Sequence, residues 1–242
     1  MLTCFSAAAF ETSQLPLSEE VAKTFPEIKS NCYIVVVPEM SIVFAEKNSQ
    51  RVIESGTFKE IYGGNEQTTL YEMSKRITYF RRYYFTSGMS GTGCAYKYKN
   101  VRGVTFTCII YGEQSKEEAS SDTRKITNWL DQFYLYNANI KEPIAIKVPV
   151  LYGTTAYANV QLPEKQLIML SANIPKRVEK VYRYRTIIKA PIIKGAPLGY
   201  VLYYTSVFKN PITRVMYAKE NIDKRPWHKC ICDSIKYLIF GS

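Results

Sequence analysis

Residues 33–45 read YIVVVPEMSIVFA, two apolar, β-branched runs on either side of Pro38-Glu39-Met40. Tyr33–Val37 and Ser41–Ala45 have strand composition, and proline's fixed φ suits the head of a tight turn. The spacing predicts a hairpin. Downstream, Glu46–Ser49 is polar and turn-like, and RVIESGTFKEIYGG (51–64) closes on Gly63-Gly64. KRITYFRRYYF (75–85) is rich in aromatic and β-branched residues, and Gly88, Gly91 and Gly93 punctuate the next loop. Cys94–Lys99 and Gly103–Tyr111 read as paired strands. One helix is marked next: Ser120, Ser121 or Asp122 can accept from its first free N–H groups. Ile126, Trp129, Leu130, Phe133 and Tyr134 recur at helical spacing, a stripe that belongs in a core.

From Pro143 to Ala218 the character changes. Short β-rich runs are broken by turn signals at Gly153, Pro163, Asn173-Ile174-Pro175, Lys194-Gly195 and Asn210-Pro211. That rhythm predicts a separate all-β sandwich, with a boundary near 139–145. In the tail, Asp223 offers an N-cap and Pro226 suits a first helical turn. Trp227, Ile231, Ile235, Leu238 and Ile239 then share one face, with Lys229, Asp233 and Lys236 on the other. Such a helix either packs on its own protein or lies in a bilayer interface, its lysines drawn to anionic head groups. The opening MLTCFSAAAF reads as a signal-peptide remnant or an apolar N-terminal arm.

Composition narrows the function classes. Of 242 residues, 46% are apolar and 22% charged, which excludes disordered, collagen-like and coiled-coil chains. No stretch approaches the roughly 20 apolar residues of a spanning helix. Lys and Arg total 32 against 21 acids, a net +11 that favours an anionic neighbour. The single His228 excludes any site that needs two or three histidines. The cysteines at 4, 32, 94, 108, 230 and 232 form no C-x-x-C pair and no metal-ligand spacing. Scattered free thiols and a disulfide both remain open. Neither a metal nor a cofactor is called for.

The order of these pieces resembles the D-alanyl-D-alanine carboxypeptidases, the low-molecular-weight penicillin-binding proteins of peptidase family S11. YIVVVPEMSIVFAEKNSQR looks like that family's opening hairpin. The likeness resumes at TSGMSGTGCAYKYKNVRGVTFTCIIYGE and runs through the Trp129 helix. Val148–Ala218 looks like its C-terminal β domain, with Ala190-Pro191-Ile192, Gly195 and Gly199 in a family segment. The tail matches in position the helix that holds such proteins on the outer face of the inner membrane. The resemblance therefore implies an α+β chain. Residues 26–141 would be a shortened transpeptidase-like sheet-plus-helix domain without the helical insert, after the arm or remnant of 1–25. Residues 142–220 would be the β-sandwich domain and 221–242 the membrane-surface helix. Trp227, Lys229, Ile231, Ile235, Lys236, Leu238 and Ile239 would be its contact residues. The implied location is periplasmic, peripheral on the inner membrane.

The active-site motifs depart from the family. Its Ser-x-x-Lys box pairs an attacking serine with a lysine base. Here the chain reads Glu54-Ser55-Gly56-Thr57-Phe58-Lys59, so Lys59 keeps the lysine place, Gly56 takes the nucleophile's, and Ser55 falls one residue early. On a helix that turns the hydroxyl by about 100°. The family's S-x-N has no match, because only 26 residues separate Lys59 from Thr86. Thr86-Ser87-Gly88 replaces its Lys-Thr-Gly, so a hydroxyl stands where an ammonium holds the substrate's terminal carboxylate. The pattern implies a non-catalytic envelope protein that binds peptidoglycan stem peptides or an envelope partner. Two alternatives stay open. One is an active serine carboxypeptidase using Ser55, Lys59 and Ser87. The other is a nucleic-acid binder using the aromatic-arginine runs YFRRYYF (79–85) and VYRYR (181–185).

Overall fold

The structure, a computed structural model, describes residues 13–49, 83–86, 91–138, 146–162, 166–184, 188–226 and 230. The expected hairpin is present. β1 is the short Ser13–Gln14; α1 is one turn, Glu19–Ala22; β2 (Cys32–Val37) and β3 (Ile42–Lys47) then pair antiparallel from Tyr33 opposite Lys47 to Val37 opposite Ile42. The turn is a single 3-10 turn, Pro38–Met40, and Ser41 completes it with a left-handed φ of 56°. β4 (Tyr83–Thr86), β5 (Thr92–Lys99) and β6 (Thr105–Glu113) extend the sheet, giving the order β1-β3-β2-β6-β5-β4. In this sheet, among the described strands, β1 alone runs parallel to its neighbour. Val35, Val36 and Val37 in β2 and Cys108, Ile109 and Ile110 in β6 are all buried, so these strands are covered on both faces.

The helix, α2, spans Lys116–Leu130 and begins earlier than its serines suggest. Its N-cap is Ser115, whose hydroxyl accepts from the Glu118 N–H at 3.2 Å, while the Glu118 carboxylate accepts from the Gln114 N–H at 3.0 Å. This Ser-x-x-Glu exchange satisfies two free donors and outcompetes Ser120, Ser121 and Asp122 as the start. Asp122 serves a different segment: buried, it accepts from the backbone N–H groups of Lys29 and Ser30 at 2.8 and 2.9 Å. The far end is corrected as well. Phe133 and Tyr134 lie beyond the helix, in β7 (Phe133–Asn137). The Asn100 side chain donates to the carbonyls of Leu130 and Phe133 at 2.9 and 2.8 Å, taking up a free helix-end acceptor and steering the chain into the strand.

The face of α2 that carries Ala119, Ile126, Trp129 and Leu130 is buried. Phe44 sits at the centre of an aromatic cluster, with ring centroids 4.8 Å from Phe133, 5.6 Å from Trp129, and 5.9 Å from both Phe106 and Phe208. The Trp129 indole N–H donates to the Thr24 hydroxyl at 3.0 Å, which satisfies its one polar atom.

Two compact units divide the chain. The first holds the described residues up to Leu135 together with Met169–Arg177 and Thr205–Asn210; the second holds Tyr136–Ile168, Val178–Tyr204 and the residues from Pro211 onward. Seven further strands follow β7: β8 (Lys147–Leu151), β9 (Tyr157–Gln161), β10 (Leu167–Ser171), β11 (Val178–Tyr184), β12 (Ile188–Lys189), β13 (Pro197–Thr205) and β14 (Ile212–Ala218). β7 pairs with β10, and the rest form one six-stranded sheet in the order β11-β13-β14-β9-β8-β12. The second unit's core is built from small and branched residues: Ala158, Ala190, Ile192, Leu198, Ala218 and Ile222. Gly199 permits a close approach there, since a Cβ would collide with the Arg183 carbonyl oxygen on β11. No helix among the described residues is long and apolar enough to cross a membrane.

Candidate functional site

Strand register brings one sequence-predicted site residue into a definite place. Thr86, the last residue of β4, pairs with Thr92 of β5, and Thr92 pairs with Glu113 of β6, so the three form a row across the end of the first unit's sheet. The row exists because of a bulge between Thr92 and Gly93, where Gly112 takes a φ of 104°. Gly91, at φ 109°, admits no side chain: a Cβ there would stand 2.7 Å from the Glu113 carbonyl oxygen.

Glu113 is the chemically unusual member. It is 1% exposed, and among the described residues neither carboxylate oxygen has a well-formed hydrogen bond. Burial pushes its carboxyl up to about 7; its own backbone N–H pulls downward, and the nearby Asp122 and Glu118 carboxylates push up. The Ser30 hydroxyl pulls slightly the other way, although it donates to the carbonyls of Cys32 and Tyr111 at 2.7 and 2.8 Å. Around it stand Asp122, spent on the 29–30 backbone, and Glu118, paired with Lys29 at 2.6 Å. The result is a carboxyl poised between its two protonation states near neutrality and sealed from solvent. It can hold a proton, but it does not touch a substrate from that position.

Beside β4 lies an open groove of about 540 Å³, lined by Tyr84 and by Lys116, Glu117, Ser120, Ser121 and Arg124 of α2. Neither Lys116 nor Arg124 forms an ion pair among the described residues. A second hollow of about 420 Å³ lies near the opposite edge of the sheet, against Leu15, Tyr33, Phe44 and Glu46. It is largely apolar.

The remaining predicted residues lie outside the described residues: Ser55, Lys59, Ser87 and Gly88, and from the tail Trp227, Lys229, Ile231, Ile235, Lys236, Leu238 and Ile239. Of Thr86 only the backbone placement is described. The cysteines are clearer: no disulfide joins any two of Cys32, Cys94, Cys108 and Cys230, and the first three are buried. Burial pushes the Cys108 thiol up to about 12, so it is no ready nucleophile. Among the described residues, no three His, Cys, Asp or Glu side chains gather to hold a metal. Sequence reasoning missed Glu113. Its available signal was an acid closing the apolar run VTFTCIIYG directly ahead of a Ser-x-x-Glu cap.

No protein-family model matches this chain, and no curated protein matches it. Among solved structures, it is similar to penicillin binding protein 5 from Haemophilus influenzae, at 14% identity over 58% of this chain and 41% of that one, with a TM-score of 0.49. It is similar to a peptidoglycan synthesis regulatory factor, PBP3, from Streptococcus pneumoniae, at 14% identity over 58% and 42% and a TM-score of 0.46. It is also similar to the D-alanyl-D-alanine carboxypeptidase DacD from Francisella tularensis, at 12% identity over 81% and 55% and a TM-score of 0.44. The match thus spans 41% to 55% of the length of these structures.

Proposed function

We propose that this chain is a D-alanyl-D-alanine carboxypeptidase-like protein of the cell envelope that has lost hydrolysis and keeps a binding role towards peptidoglycan stem peptides or an envelope partner. The observation that carries the reading is the row Thr86–Thr92–Glu113. Where a carboxypeptidase needs a cation to seize the substrate's terminal carboxylate, this row holds two threonines and a buried acid. A carboxyl two strands away disfavours a second negative charge instead of attracting it. The displaced Ser55 and the Gly56 in the nucleophile's place point the same way. With nucleophile, base and clamp needed together, loss of two removes the chemistry.

The decisive measurement is acylation by a fluorescent penicillin, run beside release of D-Ala from a pentapeptide muropeptide. Neither reaction is expected, while retention on purified sacculi is. Stable acylation lost on Ser55→Ala would restore the hydrolase reading. Absence of any affinity for sacculi would remove the peptidoglycan role. The same reading places the protein on the periplasmic side, held at the inner membrane by residues 227–242. Fractionation with and without that tail tests the location.

A further inference from the structure

Three segments of the second unit meet around Ile222. Ile192 and Ile222 exchange backbone hydrogen bonds at 2.9 and 2.8 Å, the Thr154 N–H donates to the Asp223 carbonyl at 2.8 Å, and the Arg225 N–H donates to the Tyr152 carbonyl at 2.8 Å. This end of the unit presents an exposed isoleucine at a turn tip. Ile193 is 72% exposed, and its carbonyl accepts from the Ala196 N–H at 2.9 Å across a turn with Gly195 at φ 85°. That is the geometry of a type II turn, with glycine where φ must be positive. The turn is pinned further: the Lys194 N–H donates to the Asn221 side-chain oxygen at 2.7 Å, and the Gly195 N–H to the Ala218 carbonyl at 2.9 Å.

A lone exposed isoleucine is ordinary on a protein surface. The setting of this one is not. Lys189 and Lys194 stand exposed on the segment that carries Ile192, Lys219 and Lys224 on the one that carries Ile222, and none forms an ion pair among the described residues. With Arg225 they outnumber the acids of the cluster, Glu220 and Asp223. At this end Arg225 is fixed to Tyr152, and the Cys230 N–H donates to the Pro226 carbonyl at 3.3 Å.

We propose that this end, residues 151–155, 189–196 and 218–225, is a second membrane-contacting face, with Ile193 entering the head-group layer of an anionic bilayer and the four lysines meeting its phosphates. It rests on the membrane attachment proposed above and adds a rigid contact to the tail. A pinned apolar tip loses little conformational freedom on insertion, and lysines gain from an anionic surface over about a Debye length.

The test is co-sedimentation of the full chain with phosphatidylcholine vesicles, pure or with about one third phosphatidylglycerol, for Ile193→Glu, Lys219→Glu and the tail variant Ile235→Glu. Circular dichroism checks that each folds, which the exposure of Ile193 and Lys219 favours. Each loop variant should weaken binding to the anionic vesicles by roughly five- to tenfold. Loss by Ile235→Glu alone overturns this face and leaves the tail's role standing. Loss by the loop variants alone supports the face and overturns the tail's role; no binding by the parent chain overturns both. Depth is read separately in Ile193→Trp/Trp227→Phe, where lipids brominated on the acyl chain should quench the new indole. Absence of quenching, or equal binding of soluble polyphosphate, would make this a polyanion patch and sink the proposal.

Discussion

The two units solve the same packing problem in opposite ways. The first fills its interior with rings: Phe44 is flanked by Phe106, Trp129, Phe133 and Phe208. The second draws its backbone together over alanines and isoleucines, and glycine permits the contact at Gly199. One interior is therefore sensitive to losing volume and the other to gaining it. The difference carries over to charge. The first unit seals an acid, Glu113, inside; the second leaves its lysines around a rigid turn on the outside.

Removing a ring tests the first half of that contrast most severely. Phe44→Ala should cost about 3–5 kcal/mol, the usual range for a buried phenylalanine. Hydrogen exchange should show protection lost in β2 and β3 well before β13 and β14. Equal loss everywhere would mean that the two interiors fail as one.

Glu113 gives the next largest effect, and its sign is definite. Its folded carboxyl titrates near 7 instead of the ordinary 4.5, so the unfolded chain ionises first. The group's contribution is fully present below about pH 4.5 and is lost as pH rises through about 7, a swing of up to about 3 kcal/mol. Glu113→Gln should flatten that slope, measured by urea denaturation at about pH 5 and about pH 8.5. An unchanged slope would place the titrating group elsewhere.

In the second unit the converse holds. Gly199→Ala adds one methyl against the fixed carbonyl of Arg183 and should cost about 1–3 kcal/mol. The same change at Gly103, where a Cβ meets nothing within 4 Å, removes the collision and leaves only the strain of its positive φ. A larger loss at Gly103 than at Gly199 would refute the close-packing account. Smallest is Ser115→Ala, about 1 kcal/mol for a lost N-cap, with fraying confined to the first turn of α2.

Most strands could be read from composition because β-branched and aromatic runs were separated by real turns: the β2–β3 hairpin, β5 and β6, and the run from β8 to β14 all fall where the residues indicate. The errors arose where a particular side-chain hydrogen bond, distant in one case and local in the other, decided the outcome. Phe133 and Tyr134 continue a helical spacing, but the Asn100 side chain, far off in sequence, ends the helix at Leu130. Ser120, Ser121 and Asp122 look like caps, but the local Ser115–Glu118 exchange starts the helix first, and Asp122 is used by the 29–30 backbone. Of the candidate site, Thr86 is placed by register, and Glu113 was invisible because its isolation depends on packing by α2 and Ser30. A bulge that shifts which residue faces which cannot be read from alternation when the whole run is apolar.

The Asp122 clasp also carries an expectation about the order of assembly. It joins backbone groups 93 and 92 residues away, at Lys29 and Ser30, to a carboxylate that is in position only when α2 is wound. The loop entropy of that closure must be met before the contact returns anything, so it belongs to a late step. The Lys29 and Ser30 amides are therefore expected to gain protection from exchange after those of the β2–β3 hairpin, once α2 is wound.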